Sequence, residues 1–131
     1  YDVLAKRNPA IILCSITGYG QTGPYKSKAG HDLNYLAYAG ILRPILGGRE
    51  KPAIPNFQIA DIVGGTQNAA MAILAALISQ TSTGKGQHLD GSMLEGLLAH
   101  NVVAVAQKDS LSSIGMDTSE ILSGLLHGYN L

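Results

Sequence analysis

His31 and Asp61 are the residues whose types and placing point most directly to chemistry. His31 stands in Ala29-Gly30-His31-Asp32-Leu33-Asn34-Tyr35, where a polar loop gives way to a helical apolar pattern. Asp61 stands in Ile59-Ala60-Asp61-Ile62-Val63-Gly64-Gly65, which opens the longest apolar segment of the chain. An imidazole and a carboxylate at two helix mouths that share a cleft form a two-base proton-transfer site. Each residue also has a plainer reading. A histidine at a loop–helix junction serves as a surface or capping residue, and an aspartate at a helix start serves as an N-cap favoured by the helix dipole. Asp32 is read as the cap of the helix that follows His31.

The elements that must position these groups follow an α/β pattern. Residues 1–7 read as the end of a helix. Residues 10–17, apolar and rich in isoleucine, follow Asn8-Pro9 and read as a buried parallel strand. Residues 18–30 form a polar, Gly-rich loop, and 32–42 carry apolar residues at helical spacing. Residues 43–55 hold three prolines and two glycines and read as a surface loop. A helix is expected over 61–79, whose strong helix formers carry no charge after Asp61. Its length approaches a membrane span, but the polar cluster in its first turns favours a central helix buried on all sides of a soluble domain. Gly84-Lys85-Gly86 ends it, 87–91 reads as a short strand, and 93–107 as a second apolar helix.

Composition sets the bounds. The chain has 131 residues, 46% hydrophobic and 14% charged, which fits one folded domain and excludes a disordered chain. Zero net charge with scattered basic residues argues against nucleic acid as a partner. The lone Cys14, in an apolar run, is expected to be a buried, inert thiol in a reducing, cytoplasmic setting. No metal site is expected, because His88, His100 and His127 have no ligand spacing among themselves or with the cysteine. Glu95 fits an inward or an exposed position equally well, and His100 reads as structural. Gly18-Tyr19-Gly20-Gln21-Thr22-Gly23 matches half of a dinucleotide fingerprint. Residues 24–30 are not an apolar helix, and no acidic residue follows at the required distance. A loop whose backbone approaches a ligand fits better.

Gly18-Tyr-Gly-Gln-Thr-Gly-Pro24, Ala29-Gly-His-Asp-Leu-Asn-Tyr35, Ala60-Asp-Ile-Val-Gly-Gly65, Thr83-Gly-Lys-Gly-Gln87 and Ser92-Met-Leu-Glu95 occur here in order. Together they resemble the family III CoA-transferase superfamily (CaiB/BaiF type), most closely its α-methylacyl-CoA racemase branch. The resemblance implies part of an open, mostly parallel, Rossmann-like sheet domain that binds CoA, here over 1–107, with 108–131 a linker toward a small domain. It implies an internal fragment of a longer chain, inactive when isolated, whose full-length form is an interlocked homodimer. The substrate is an acyl-CoA thioester, coenzyme A being part of it, with no separate cofactor and no membrane partner.

In the racemase branch the His of Gly-His-Asp and the Asp of Ala-Asp-x-x-Gly-Gly are the two bases, which fall on His31 and Asp61 at the implied spacing of 30 residues. In the transferase branch the corresponding Asp takes the acyl group, and no His is expected at position 31. The expected activity is therefore racemisation of 2-methylacyl-CoA thioesters through an enolate. A CoA-transferase with Asp61 as nucleophile, and a non-catalytic CoA-binding or assembly protein, are the alternatives. Backbone N–H groups at Gly64 and Gly65 are the expected donors to the enolate oxygen. Gly30 and Tyr35 are expected on the CoA channel.

Overall fold

The structure is a computed structural model that describes residues 1–42 and 54–103, with 106, 110, 113 and 115 besides. Residues 43–53 of the loop expected over 43–55 and the 108–131 linker thus lie outside the described residues, save isolated positions of the linker, as does His127. The elements are α1 (Asp2–Arg7), β1 (Leu13–Thr17), α2 (Asp32–Tyr38), α3 (Ala60–Thr83), β2 (His88–Ser92) and α4 (Met93–His100). The chain is α/β, and β1 pairs with β2 in parallel, Leu13 opposite His88 and Thr17 opposite Ser92. β1 is half-buried rather than buried, with Ile16 45% exposed, because β2 is its sole partner strand among the described residues.

α1 starts with Asp2 and ends with Lys6 and Arg7, each placed to favour its end of the helix dipole. α3 is one continuous helix of 24 residues. Its first two turns, Ala60–Gln67, are π-helical, and Asn68–Thr83 is regular α-helix. It ends where Gly84 turns left-handed at φ 65°, a conformation that costs glycine little, and its N–H bonds Gln80 at 2.8 Å. The Gln80 side chain also donates to the carbonyl of Ala10, tying the end of α3 to the approach of β1.

The expectation of a helix buried on all sides is corrected here. Ala69 and Ala76, seven residues apart, are buried, and this stretch of the helix packs along β1 and β2. Met71, Leu74 and Ile78 stand open on other faces, because the described elements cover one side only. By length and composition the helix could also cross a membrane.

The core lies where α2, the start of α3 and α4 converge. Leu36, Ala60 and Leu97 are fully enclosed there, with Tyr35 and Ala39 beside them. Burial of a leucine side chain such as Leu36 or Leu97 contributes about 1.5–3 kcal/mol. The α3–α4 crossing is close because glycines face it. A Cβ on Gly64 would strike the Met93 carbonyl, and one on Gly96 would strike the Gly64 carbonyl. Ser92 caps α4 by accepting from the Glu95 amide at 3.2 Å, and Asn101 fastens the far end by donating to Ala39 at 3.0 Å. This core sits directly beneath the mouths of α2 and α3.

Candidate active site

His31 is the N-cap of α2, in extended conformation and exposed to solvent. Its hydrogen bonds run through its backbone: the N–H donates to Asn34 Oδ1 at 2.9 Å, and the carbonyl accepts from the Asn34 amide at 2.8 Å. His31 and Asn34 thereby close the start of α2 reciprocally. Asp61 is half-buried in the first turn of α3. Its amide donates to Asp32 Oδ1 at 3.2 Å, and its carbonyl accepts from Thr66 Oγ1 at 2.9 Å. It is not the N-cap of α3; that position falls to Ile59.

The link between the two mouths is Asp32. The sequence suggested a local cap for α2, yet His31 occupies that position and Asp32 points elsewhere. Its buried Oδ1 accepts from the amides of Ala60, at 2.5 Å, and Asp61. With an apolar residue at its N-cap, α3 has no side-chain cap of its own, so a carboxylate 28 residues upstream serves its unpaired amides. The start of α3 is thus fastened to the residue next to His31, and the two candidate bases stand at adjoining helix mouths.

Tyr35 and Gly30 belong to the support beneath His31. Tyr35 is buried, and its hydroxyl donates to the Gly30 carbonyl at 2.6 Å. Burial, and after it the nearby Tyr19 and Asp61, push the Tyr35 phenol above its ordinary pKa, so it stays a proton donor to that carbonyl. Tyr35, expected on the CoA channel, has its ring in the core and its hydroxyl on the loop that carries Gly30. A Cβ on Gly30 would press on both Tyr35 and Tyr19.

The loop over 18–30 contains no helix, in keeping with the rejected dinucleotide reading. Tyr19 packs edge-on against Tyr25, Tyr35 and Tyr38, with ring centroids 5.6, 5.1 and 5.9 Å away. Lys28 Nζ lies 3.8 Å from the centroid of the Tyr25 ring. Asp90 on β2 accepts from the Gln21 amide at 3.0 Å, anchoring the loop to the sheet. Sequence reasoning missed this tyrosine cluster. Four tyrosines within 20 residues, in a chain with one phenylalanine and no tryptophan, were the available signal.

Gly64 and Gly65 are placed differently from expectation. The helix starts at Ala60, so its unpaired amides lie in the first turn, and these two glycines come after it. Both are buried, and the space a side chain would need is filled by Met93 and, at Gly65, by Ile16 as well. Close helix packing requires glycine at these positions.

Glu95 is exposed, and His100 Nδ1 lies 2.8 Å from the Gly96 carbonyl of its own helix. His88 Nε2 lies 3.0 Å from Ser15 Oγ, with Tyr1 stacked on the ring. Cys14 is a half-buried free thiol.

The family model described as CoA-transferase family III matches residues 1–120. The chain belongs to that family. Among its relatives, human α-methylacyl-CoA racemase is 42% identical over 95 residues, which cover 72% of this chain and 25% of that protein. Human succinyl-CoA:glutarate CoA-transferase is 37% identical over 99 residues, 76% of this chain and 22% of that protein. The crystal structure of a CAIB/BAIF family protein from Brucella suis superposes with a TM-score of 0.71 at 34% identity. It covers 89% of this chain and 30% of that one. The chain therefore spans about a quarter of the length of the curated relatives it matches. Within family III, both racemases and CoA-transferases are similar to it.

Proposed function

We propose that the protein of which this chain is part interconverts the two configurations at the α-carbon of 2-methylacyl-CoA thioesters. The observation that carries the reading is the pairing of an imidazole and a carboxylate at helix mouths held together through Asp32. Inversion next to a thioester needs a base on one face and an acid on the other. In one direction His31 takes the α-proton, and the C–H electron pair forms the enolate, whose charge rests on the thioester oxygen. Asp61, protonated, then gives its proton to the opposite face of the α-carbon. The reverse direction exchanges the roles. The enolate oxygen takes its donor from outside Ala60 and Asp61, whose amides are held by Asp32.

The second reading is transfer of CoA between carboxylates, with the Asp61 carboxylate attacking the thioester carbonyl and expelling the CoA thiolate. The similarity to succinyl-CoA:glutarate CoA-transferase supports it. A histidine at position 31 supports the racemase, since a nucleophilic mechanism gives that imidazole nothing to do. In either case the substrate is an acyl-CoA, and coenzyme A enters as part of it. A cytoplasmic homodimer remains part of the proposal for the full-length protein.

The test uses that protein and a single enantiomer of 2-methylacyl-CoA in heavy water, with α-deuterium followed by mass spectrometry. Incorporation that racemises the substrate, and falls at least about 100-fold in both His31→Ala and Asp61→Asn, supports two-base catalysis. No incorporation, with CoA appearing on an added carboxylate and activity surviving His31→Ala, would overturn it in favour of the transferase.

A further inference from the structure

We infer that Asp32 is a positioning residue that sets the separation of the two bases, through the bonds from its carboxylate to the amides of Ala60 and Asp61. The inference rests on the racemase reading and adds to it a residue that touches no reacting atom. Asp32 is 8% exposed, and no ion pair reaches its carboxylate among the described residues. Burying a charge is costly unless it is well hydrogen-bonded, so a site that only needed capping is served more cheaply by Ser, Thr or Asn next to the helix. Here the local N-cap is Ile59, and the capping oxygen comes instead from the residue covalently joined to His31.

The path from one base to the other is consequently short. It runs from the His31 backbone across one peptide bond to Asp32, through that side chain, and across one hydrogen bond to the Asp61 backbone. Few torsions lie along it, and the enclosed contacts of Leu36, Ala60 and Leu97 hold the helices on either side. A misplacement of about 1 Å between reacting groups can cost a factor of about 100 in rate. This makes the arrangement of Asp32 a determinant of rate at Asp61 more than at His31, since His31 keeps its own bonds to Asn34.

The experiment compares Asp32→Ala with Asp32→Asn in the full-length protein. Asn keeps an oxygen acceptor in the same place; Ala removes it. Each enantiomer of 2-methylacyl-CoA is incubated separately in heavy water, and kcat and KM for racemisation are measured alongside α-deuterium incorporation. For Asp32→Ala we expect kcat lowered about 100-fold with KM within about threefold. Exchange is expected to be lost mainly from the enantiomer that Asp61 deprotonates. The other enantiomer still exchanges, with retention, through His31. Asp32→Asn is expected to restore most of kcat. If Asp32→Ala does not fold, Asp32→Glu, one methylene longer, should show the same asymmetry. Equal loss for both enantiomers, or an unchanged kcat in Asp32→Ala, would overturn the inference. Should the wild type exchange neither enantiomer, the racemase reading itself falls, and amide hydrogen exchange over 58–63 decides the role of Asp32 alone. Faster exchange confined to that segment in Asp32→Ala upholds it, and unchanged exchange overturns it.

Discussion

Ala60–Gln67 and Asn68–Thr83 are consecutive stretches of one helix, and they meet opposite demands. The first is wide, glycine-containing and closed in: Ala60, Gly64 and Gly65 are buried against neighbouring elements. Side chains also satisfy its backbone, since Thr66 Oγ1 donates to Asp61, and Asn68 Nδ2, from the first residue of the second stretch, donates to Val63 and Gly64. The second is regular, alanine-rich and half-open, resting on the sheet through Ala69 and Ala76 while Leu74 and Ile78 are 61% and 72% exposed. The difference shows where specificity is stored. π-helical turns are rare and concentrate at functional sites, and this one, which carries the candidate base Asp61, is held by the packing around it. The α-helical half needs only propensity and one covered stripe.

The strongest way to break this contrast is at the glycine crossing. Gly96→Leu would drive a side chain into the Gly64 carbonyl and the Asn68 side chain, neither of which can retreat without moving a helix. We expect a loss of about 3 kcal/mol or more in a urea unfolding curve of the full-length protein. A shift below about 0.5 kcal/mol would mean the crossing is looser than described. A smaller effect is expected at Asn68→Leu, which removes donors from two π-turn carbonyls without adding bulk. It should cost about 1–2 kcal/mol and speed amide exchange over 60–67 while leaving 70–83 unchanged. Uniform acceleration along the helix would erase the distinction between its halves. Smallest is Ile78→Ser, expected within about 0.5 kcal/mol in the 131-residue chain by the same unfolding measurement. A cost of about 2 kcal/mol in the full-length protein would show that another element covers that face.

Much of this architecture was legible in the residues. The apolar run ending at Thr17, the helix formers after Asp61 and the apolar pattern over 93–107 pointed to β1, α3 and α4 through local physics alone, although α4 ends at His100. Parallel pairing followed from the α/β alternation. His31 and Asp61 stood out by type and by position at helix starts. What the sequence hid was relational. Asp32 beside a helix start reads as a cap of its own helix, and nothing local says that its carboxylate reaches a helix 28 residues onward. Gly64 and Gly65 beside a candidate base read as backbone donors, because the residue that forbids a side chain there, Met93, lies on another helix. Tyr35 has the spacing of a surface position over His31, but its ring is drawn inward by Tyr19. The uncovered face of α3 has the composition of a buried one, since hydropathy records a need for cover and not who supplies it.

The parallel pairing of Leu13 with His88 has a consequence during synthesis. Both candidate bases lie on the stretch of chain that joins the two strands, so β1 leaves the ribosome well before its partner exists. The β1–β2 hydrogen bonds must wait for the whole connection to be translated, and such distant pairings are slow to form. The ladder between the strands thus closes only after the segment that carries both candidate bases has been made.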